Sequence, residues 1–294
     1  MVRKFNLYNA RGEMVELLSD KLFALSPTGL GVSLENSYSR YQTYMIRTNS
    51  KVTQGSFQTK IVFSQIKSQT YQQFSDFAQF LAYQPYTLEY VIDSGSWKRD
   101  AYLKELPKSE ASTAGLIDEQ ITLEFINNWY NNKTAEYKSY DPDQGLANYG
   151  KIYKYTYQPY YVYMESTTTA GEKMMTLVND SKYFGVQQGS PCIVTITGAT
   201  TNPHWTVLQN GIIVATDGFT LTLAHNQRLI VSSYPEDQYA RVYNPDGSFA
   251  DVSQLQDFTM TNFVQIPEGE STVLVYVDQD TSVNLTFKEE RLLV

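Results

Sequence analysis

Two histidines, His204 and His225, and one cysteine, Cys192, are the residues best suited to nucleophilic or proton-transfer chemistry, and they bound it tightly. A Ser-His-Asp or Cys-His mechanism has to use one of them. No serine sits in a Gly-x-Ser-x-Gly elbow. Cys192 adjoins the apolar positions Ile193, Val194 and Ile196, where a small buried packing residue fits better than a thiolate. His225 lies in a turn-like stretch between two apolar runs, residues 219–223 and 229–232. Acidic neighbours are frequent: Asp118 with Glu119, Glu236 with Asp237, Glu289 with Glu290. Glycoside hydrolysis needs two carboxylates facing each other across a cleft, and adjacent strand residues point to opposite faces. Oxygen ligands for calcium gather as Asn244, Asp246 and Asp251, and Asp278 and Asp280 flank a turn. The EF-hand spacing is missing, however, and Asn244-Pro245-Asp246-Gly247 is first of all a type I turn sequence. Gly29-Leu30-Gly31 lacks the third glycine of a dinucleotide cradle and reads as a loop between strands. The expectation is a protein without catalytic residues, cofactor or metal.

The elements that would position these residues read at period two, with frequent Gly, Asn, Asp and Pro, as half-buried antiparallel strands do. Residues 57–63 place Phe57, Thr59, Ile61 and Phe63 on one face, and similar runs occur at 87–92, 120–126, 193–197, 219–223, 272–277 and 281–287. Asn210-Gly211, between 205–209 and 212–216, is the strongest hairpin signal. One segment breaks the period. In residues 69–83 Tyr71, Phe74, Phe77, Ala78 and Leu81 recur at spacings of three and four, behind Ser68 and Thr70 as N-cap candidates and ahead of Pro85. That predicts one amphipathic helix on a sheet. The fold class is mainly β, with sandwiches of antiparallel sheets.

Residues 127–148 are rich in Asn, Lys, Asp and Gly and mark the domain boundary. Beyond it Tyr149, Tyr153, Tyr155, Tyr157, Tyr161 and Tyr163 share one parity, so a strand would project six hydroxylated rings from one face. Three uses are open to them: packing on the second domain, a subunit or partner interface, or an aromatic sugar platform.

Composition supports contact surfaces over catalysis. The 294 residues include 24 Tyr, and charged residues are only 18%. A single cysteine excludes an intramolecular disulfide and a CxxC metal knuckle, and two histidines exclude a multi-histidine metal site. The net charge of -8 opposes phosphate-driven nucleic-acid binding. There is no apolar run of membrane-spanning length, and residues 1–10 lack the apolar core of a Sec signal, so no membrane is expected and folding is placed in the cytoplasm where the chain is made.

The order of these elements resembles the distal tail proteins of siphophages. The period-two amino-terminal region, residues 57–63, the helix, Tyr86-Thr87-Leu88-Glu89-Tyr90, residues 103–110 and Trp129-Tyr130 carry the likeness in the first half. In the second it rests on the Tyr-rich strand, on Gly189-Ser190-Pro191-Cys192 running to Thr197-Gly198 and Asn202-Pro203, and on residues 263–270. The resemblance implies an amino-terminal ring domain over 1–145, a Tyr-rich linker strand over 146–170 and a galectin-like β-sandwich over 171–294, with strand 281–294 able to complete the first domain. It further implies a structural virion protein, not an enzyme: a homohexamer at the tail tip between the tail tube protein and the baseplate hub or tail-associated protein. Receptor-binding or accessory baseplate proteins would attach outside, and DNA would pass through a central channel; separately, the net charge of -8 per copy suits acidic lining residues that keep DNA from sticking as it passes. Tyr153, Tyr155, Tyr157, Tyr161 and Tyr163 are the candidate interface. The rival reading is a cell-wall carbohydrate-binding module for host adsorption, drawing on the same tyrosines, on the turn loops around Tyr234 to Tyr243, and on Trp205 beside Asn202, where Trp205 either stacks on a sugar or serves the β-sandwich core or edge. Galectin sites use a His, Asn, Arg and Trp cluster, whereas Asn202-Pro203-His204-Trp205 has another order and no arginine.

Overall fold

The computed structural model describes residues 3–63, 69–112, 115–137, 172–278 and 280–294. The segments around 141–145 and 149–163, with all five candidate interface tyrosines, lie outside them, as does Ser68. The chain divides into two compact units: Met1–Asn131 with Lys182–Gln187 and Glu289–Val294, and Asn132–Ser181 with Gln188–Lys288.

In the first unit the strands are β1 (Lys4–Tyr8), β2 (Met14–Glu16), β3 (Leu22–Thr28), β4 (Leu34–Tyr41), β5 (Tyr44–Val52), β6 (Ser56–Phe63), β7 (Tyr86–Ile92), β8 (Gly95–Glu105) and β9 (Ile117–Phe125), with one helix, α1 (Thr70–Phe80). They pair antiparallel in the order β2-β1-β7-β8-β9-β6-β3. Strand β8 gives its first half to β7 and its last residues to β9, with a bulge near Leu103. Bulges bend a strand and increase its twist. The alternation in β6 is realised, with Phe57, Thr59, Ile61 and Phe63 buried. Helix α1 lays Phe74, Phe77 and Phe80 on this core, and the Phe63 ring lies 5.2 Å from Phe74 and 5.7 Å from Phe77. Its N-cap is Gln69, not Thr70, whose hydroxyl donates to the Gly115 carbonyl at 2.8 Å. Residues from the far end of the chain complete this unit. The Lys182 amide donates to Glu290 O at 2.9 Å, the Arg291 guanidinium lies 4.5 Å over the Trp97 ring, Leu292 is buried and Val294 packs on the core.

A strand β10 (Trp129–Tyr137) leads out of the first unit, and the second unit holds β11 (Glu172–Asn179), β12 (Gly189–Thr197), β13 (Thr200–Thr201), β14 (His204–Gln209), β15 (Ile212–Gly218), β16 (Thr222–Leu223), β17 (Arg228–Ser232), β18 (Tyr239–Tyr243), β19 (Phe249–Asp251), β20 (Gln265–Pro267), β21 (Gly269–Tyr276) and most of β22 (Ser282–Arg291). One sheet runs β19-β18-β17-β12-β22 and the other β11-β21-β14-β15. Val194, Ile196, Leu229, Val231 and Leu285 meet Trp205, Val207, Val273 and Val275 in one apolar core. Asn210 and Gly211 have φ of +52° and +76°, the left-handed pair that a tight hairpin between twisted strands requires. The predicted strand at 219–223 shrinks to Thr222–Leu223. Phe219 instead forms an isolated bridge with Gln256, and Thr220 donates to Leu255 O at 2.8 Å.

Charge is divided sharply between the units. The first has 15 acidic and 15 basic residues, and the second 16 acidic and 8 basic, so the whole net charge of -8 belongs to the second. An acidic lining contributed by the first unit therefore has no support in its net charge.

Candidate functional site

The residues singled out for chemistry are each held in a structural role. Cys192 is buried, its thiol pushed up to about 12 by burial, and Ser233 Oγ donates to its carbonyl at 3.0 Å. Such a thiol yields almost no thiolate near neutral pH. His225 is exposed in a turn closed by the Gln227 amide on Ala224 O at 3.0 Å. His204 is exposed and stacks on Tyr276 with centroids 4.6 Å apart. Among the acidic pairs, Asp118 meets Lys60 while Glu119 turns inward to accept the Ser109 amide. Glu236 meets Lys288, Glu289 lies 3.3 Å from Arg291, and Glu290 accepts the Tyr183 hydroxyl at 2.9 Å and Gln187 Nε2 at 3.0 Å. Asp246 accepts the Ser248 amide at 2.9 Å and its hydroxyl at 2.6 Å, and the Gly247 amide closes the turn on Asn244 O at 3.0 Å. Among the described residues no group of three or more His, Cys, Asp or Glu could hold a metal ion.

Of the two roles open to Trp205, its burial decides for the β-sandwich core and against stacking on a sugar. The residue is 1% exposed, faces the interior from β14, and lies 6.0 Å from the Phe219 ring. A ring enclosed by its own core presents no face to a saccharide. Asn202 is exposed in the left-handed region at φ +51°, and its carbonyl lies 3.2 Å from His204 Nδ1.

What the first unit presents instead is an arm. Strands β4 and β5 form a two-stranded sheet of their own. Tyr38, Tyr41, Tyr44, Met45 and Ile46 crowd its outer part, and Tyr44 is 71% exposed. A lone hairpin is marginal in water, so its apolar tip has to gain stability from something it touches. The arm carries Arg40, Arg47 and Lys51 against a single Glu35.

Its root is built firmly. Just before β4, Gly29 has φ +83°, and a Cβ there would lie 1.7 Å from Ser56 O. The Trp129 indole N–H donates to Leu30 O at 3.2 Å. Just after β5, a Cβ on Gly55 would meet Arg99 Nη2 at 3.2 Å. Arg99 is 6% exposed, lies 4.1 Å over Phe125 and 5.7 Å over Trp129, and donates Nε–H to Asn127 O at 2.6 Å. Burial depresses its pKa to about 10, which leaves it cationic near neutral pH. Neither the arm nor this buried guanidinium was singled out from the sequence. The signal available was weak: residues 34–52 hold exposed aromatics without a consistent apolar face.

Two units of antiparallel β-structure, one bearing a projecting apolar-tipped arm, define a protein built around surfaces for contact. Residues 4–126 match the family model described as the distal tail protein, N-terminal domain. The match falls within the first unit and covers less than half of the chain, so that this stretch is similar to a phage distal tail protein's amino-terminal domain. Similar solved structures agree in fold. A chain of the phage P2 baseplate in its activated conformation with Ca is 16% identical, with all of both chains covered and a TM-score of 0.70, and its counterpart with Sr gives the same values. The SPP1 Dit protein, described as a paradigm of the hub adsorption apparatus in Gram-positive-infecting phages, is 10% identical over 97% of this chain and 98% of its own, with a TM-score of 0.59. No curated protein matches the chain.

Proposed function

We propose that the chain is a structural component of the virion that assembles as a homohexameric ring at the tail tip. It joins the tail tube to the baseplate hub or tail-associated protein, supports the receptor-binding apparatus and leaves a channel for DNA. The first unit supplies the ring. The second, read as galectin-like, faces outward with the Tyr-rich segment, where Tyr153, Tyr155, Tyr157, Tyr161 and Tyr163 remain the proposed contact residues. The observation that carries this reading is the β4–β5 arm, whose apolar tip is exposed among the described residues and pairs only within its own two strands. With 15 acidic and 15 basic residues in the first unit, a channel bounded by it neither attracts nor repels DNA by net charge.

Mass measurement in solution and electron microscopy of tails test the ring. A hexamer is expected, and a monomer at every concentration overturns the reading. Replacing Tyr38, Tyr44, Met45 and Ile46 by serine in the arm is expected to weaken assembly by 100-fold or more. The melting temperature of the monomer should stay within a few degrees, since these side chains are exposed in their own unit.

A second reading, direct contact with host-surface saccharide, keeps support from one face of the second unit.

A further inference from the structure

The outer face of the β17-β18-β19 edge carries a continuous stack of five side chains. Leu229, Val231 and Ala240 point into the core, which turns Arg228, Tyr239, Arg241 and Tyr243 outward, and Phe249 on β19 stands opposite Tyr243. The Arg241 guanidinium lies 4.1 Å from the Tyr239 ring and 4.7 Å from the Phe249 ring. Phe249 and Tyr243 have centroids 5.4 Å apart, and the Arg228 guanidinium lies 5.1 Å over Tyr243. Along the face the order is therefore Tyr239, Arg241, Phe249, Tyr243, Arg228.

Charge singles this face out. The unit is acidic overall, and of its five described cations Lys173 and Lys288 are buried, so that Arg228 and Arg241 are two of the three left at the surface. Among the described residues neither arginine has a carboxylate within ion-pair distance; Arg241 shares one hydrogen bond with the Tyr243 hydroxyl and feels Asp237 and Asp251 only at longer range, which leaves the rest of its N–H edge open. Asp251 is paired across the strands with Arg241, but its carboxylate accepts the Ser253 amide at 2.9 Å. A guanidinium whose faces are covered by rings offers its N–H edge, the geometry that takes phosphate or carboxylate oxygens in pairs. Phe249, 54% exposed, offers a ring between the two cations. Close by, Gln227 Nε2 donates to Asn244 Oδ1 at 2.8 Å, an amide pair able to meet hydroxyls.

We propose that this ladder binds an anionic saccharide polymer carrying phosphodiester groups, with the arginines on successive phosphates and the Phe249 and Tyr243 rings against the sugar between them. An alternation of cation, ring, ring and cation complements a repeat of phosphate and sugar better than the uniform charge of an acidic peptide. The inference rests on the tail-tip reading only in placing this face near a host surface.

The test is binding of the intact protein to three probes: a phosphodiester-bearing yeast phosphomannan, the neutral mannan, and polyglutamate. Phosphomannan is expected to bind at least tenfold more tightly than mannan or polyglutamate, and to weaken as salt is raised. R228Q/R241Q should lose tenfold or more and F249A several-fold, with unchanged melting temperatures. R241K tests the planar fork at constant charge and should also weaken binding. Tighter binding to polyglutamate identifies an acidic protein segment as the partner and overturns the saccharide. Equal binding to both mannans, binding untouched by the variants, or no binding at all overturns the site. Ring formation is scored separately by mass, so failure here is distinguishable from failure of the tail-tip reading.

Discussion

Replacing Asp217 by alanine should lower the stability of the second unit by about 3–5 kcal/mol at pH 7, because three donors, two of them fully buried, lose their acceptor at once. Asp217, at the end of β15, is fully buried. Its Oδ1 accepts the Gly218 amide at 2.8 Å and Gln256 Nε2 at 2.9 Å, and its Oδ2 accepts the Phe263 amide at 2.9 Å. It thereby ties the 256–263 loop to the sheet. Thermal unfolding followed by near-ultraviolet circular dichroism should show a drop on the order of 10 °C for a unit of this size. A shift within 2 °C of the parent would show that these hydrogen bonds do not hold the loop.

The same residue sets a pH dependence with a definite sign. Burial raises its pKa from 3.8 to about 6, and the three donors pull it back only in part. The folded state therefore holds the proton more tightly than the unfolded chain. Stability from this group is present below about pH 4, declines as pH rises to about 6, and is flat above, by up to roughly 3 kcal/mol over the window. Asp217→Asn should remove this slope, at a cost of its own because one amide N–H then faces a donor. A slope that survives the substitution assigns the titration to another group.

The second large effect is expected at Gly29. Alanine there adds a methyl 1.7 Å from Ser56 O, at a φ of +83° that side chains rarely adopt. Backbone strain and forced displacement together come to about 3–5 kcal/mol. Ser56 begins β6 and pairs with Glu124 of β9, so the displaced atom cannot move without breaking the first unit's sheet. Gly12, with φ +77° and open space around it, is the control: alanine there meets only the strain. Equal melting temperatures for the two variants would show that the root tolerates the intrusion.

Where local pattern and packing agree, the sequence was easy to read. The parity of Phe57, Thr59, Ile61 and Phe63, the spacing of three and four through Phe74, Phe77 and Leu81, and Asn210-Gly211 became a buried strand face, a helix with its buried side and a hairpin turn, although Tyr71 and Ala78 of the same spacing are exposed. Trp205 shows the opposite hazard. Grouped with Asn202 and His204 it suggests a sugar site, yet its parity with Val207 is that of an inward face, and this decides its role. The arm, and the stacking order of the ladder beyond the stretch Tyr234 to Tyr243, are hidden in the sequence for a related reason. Both are made across strands, by cross-strand neighbours such as Tyr243 and Phe249 or Tyr41 and Tyr44, and register is invisible until the turns are placed. Asp217 escaped because burial of a lone carboxylate depends on donors 39 to 46 residues away.

The return of residues 289–294 to the first unit bears on how the protein is made. Synthesis runs from the amino terminus, and domains commonly fold as they emerge. Here the ribosome must finish every residue of the second unit before Leu292 is available to the core of the first. The first unit to be translated is thus closed only after the second has been made, which couples its maturation in time to synthesis of the second.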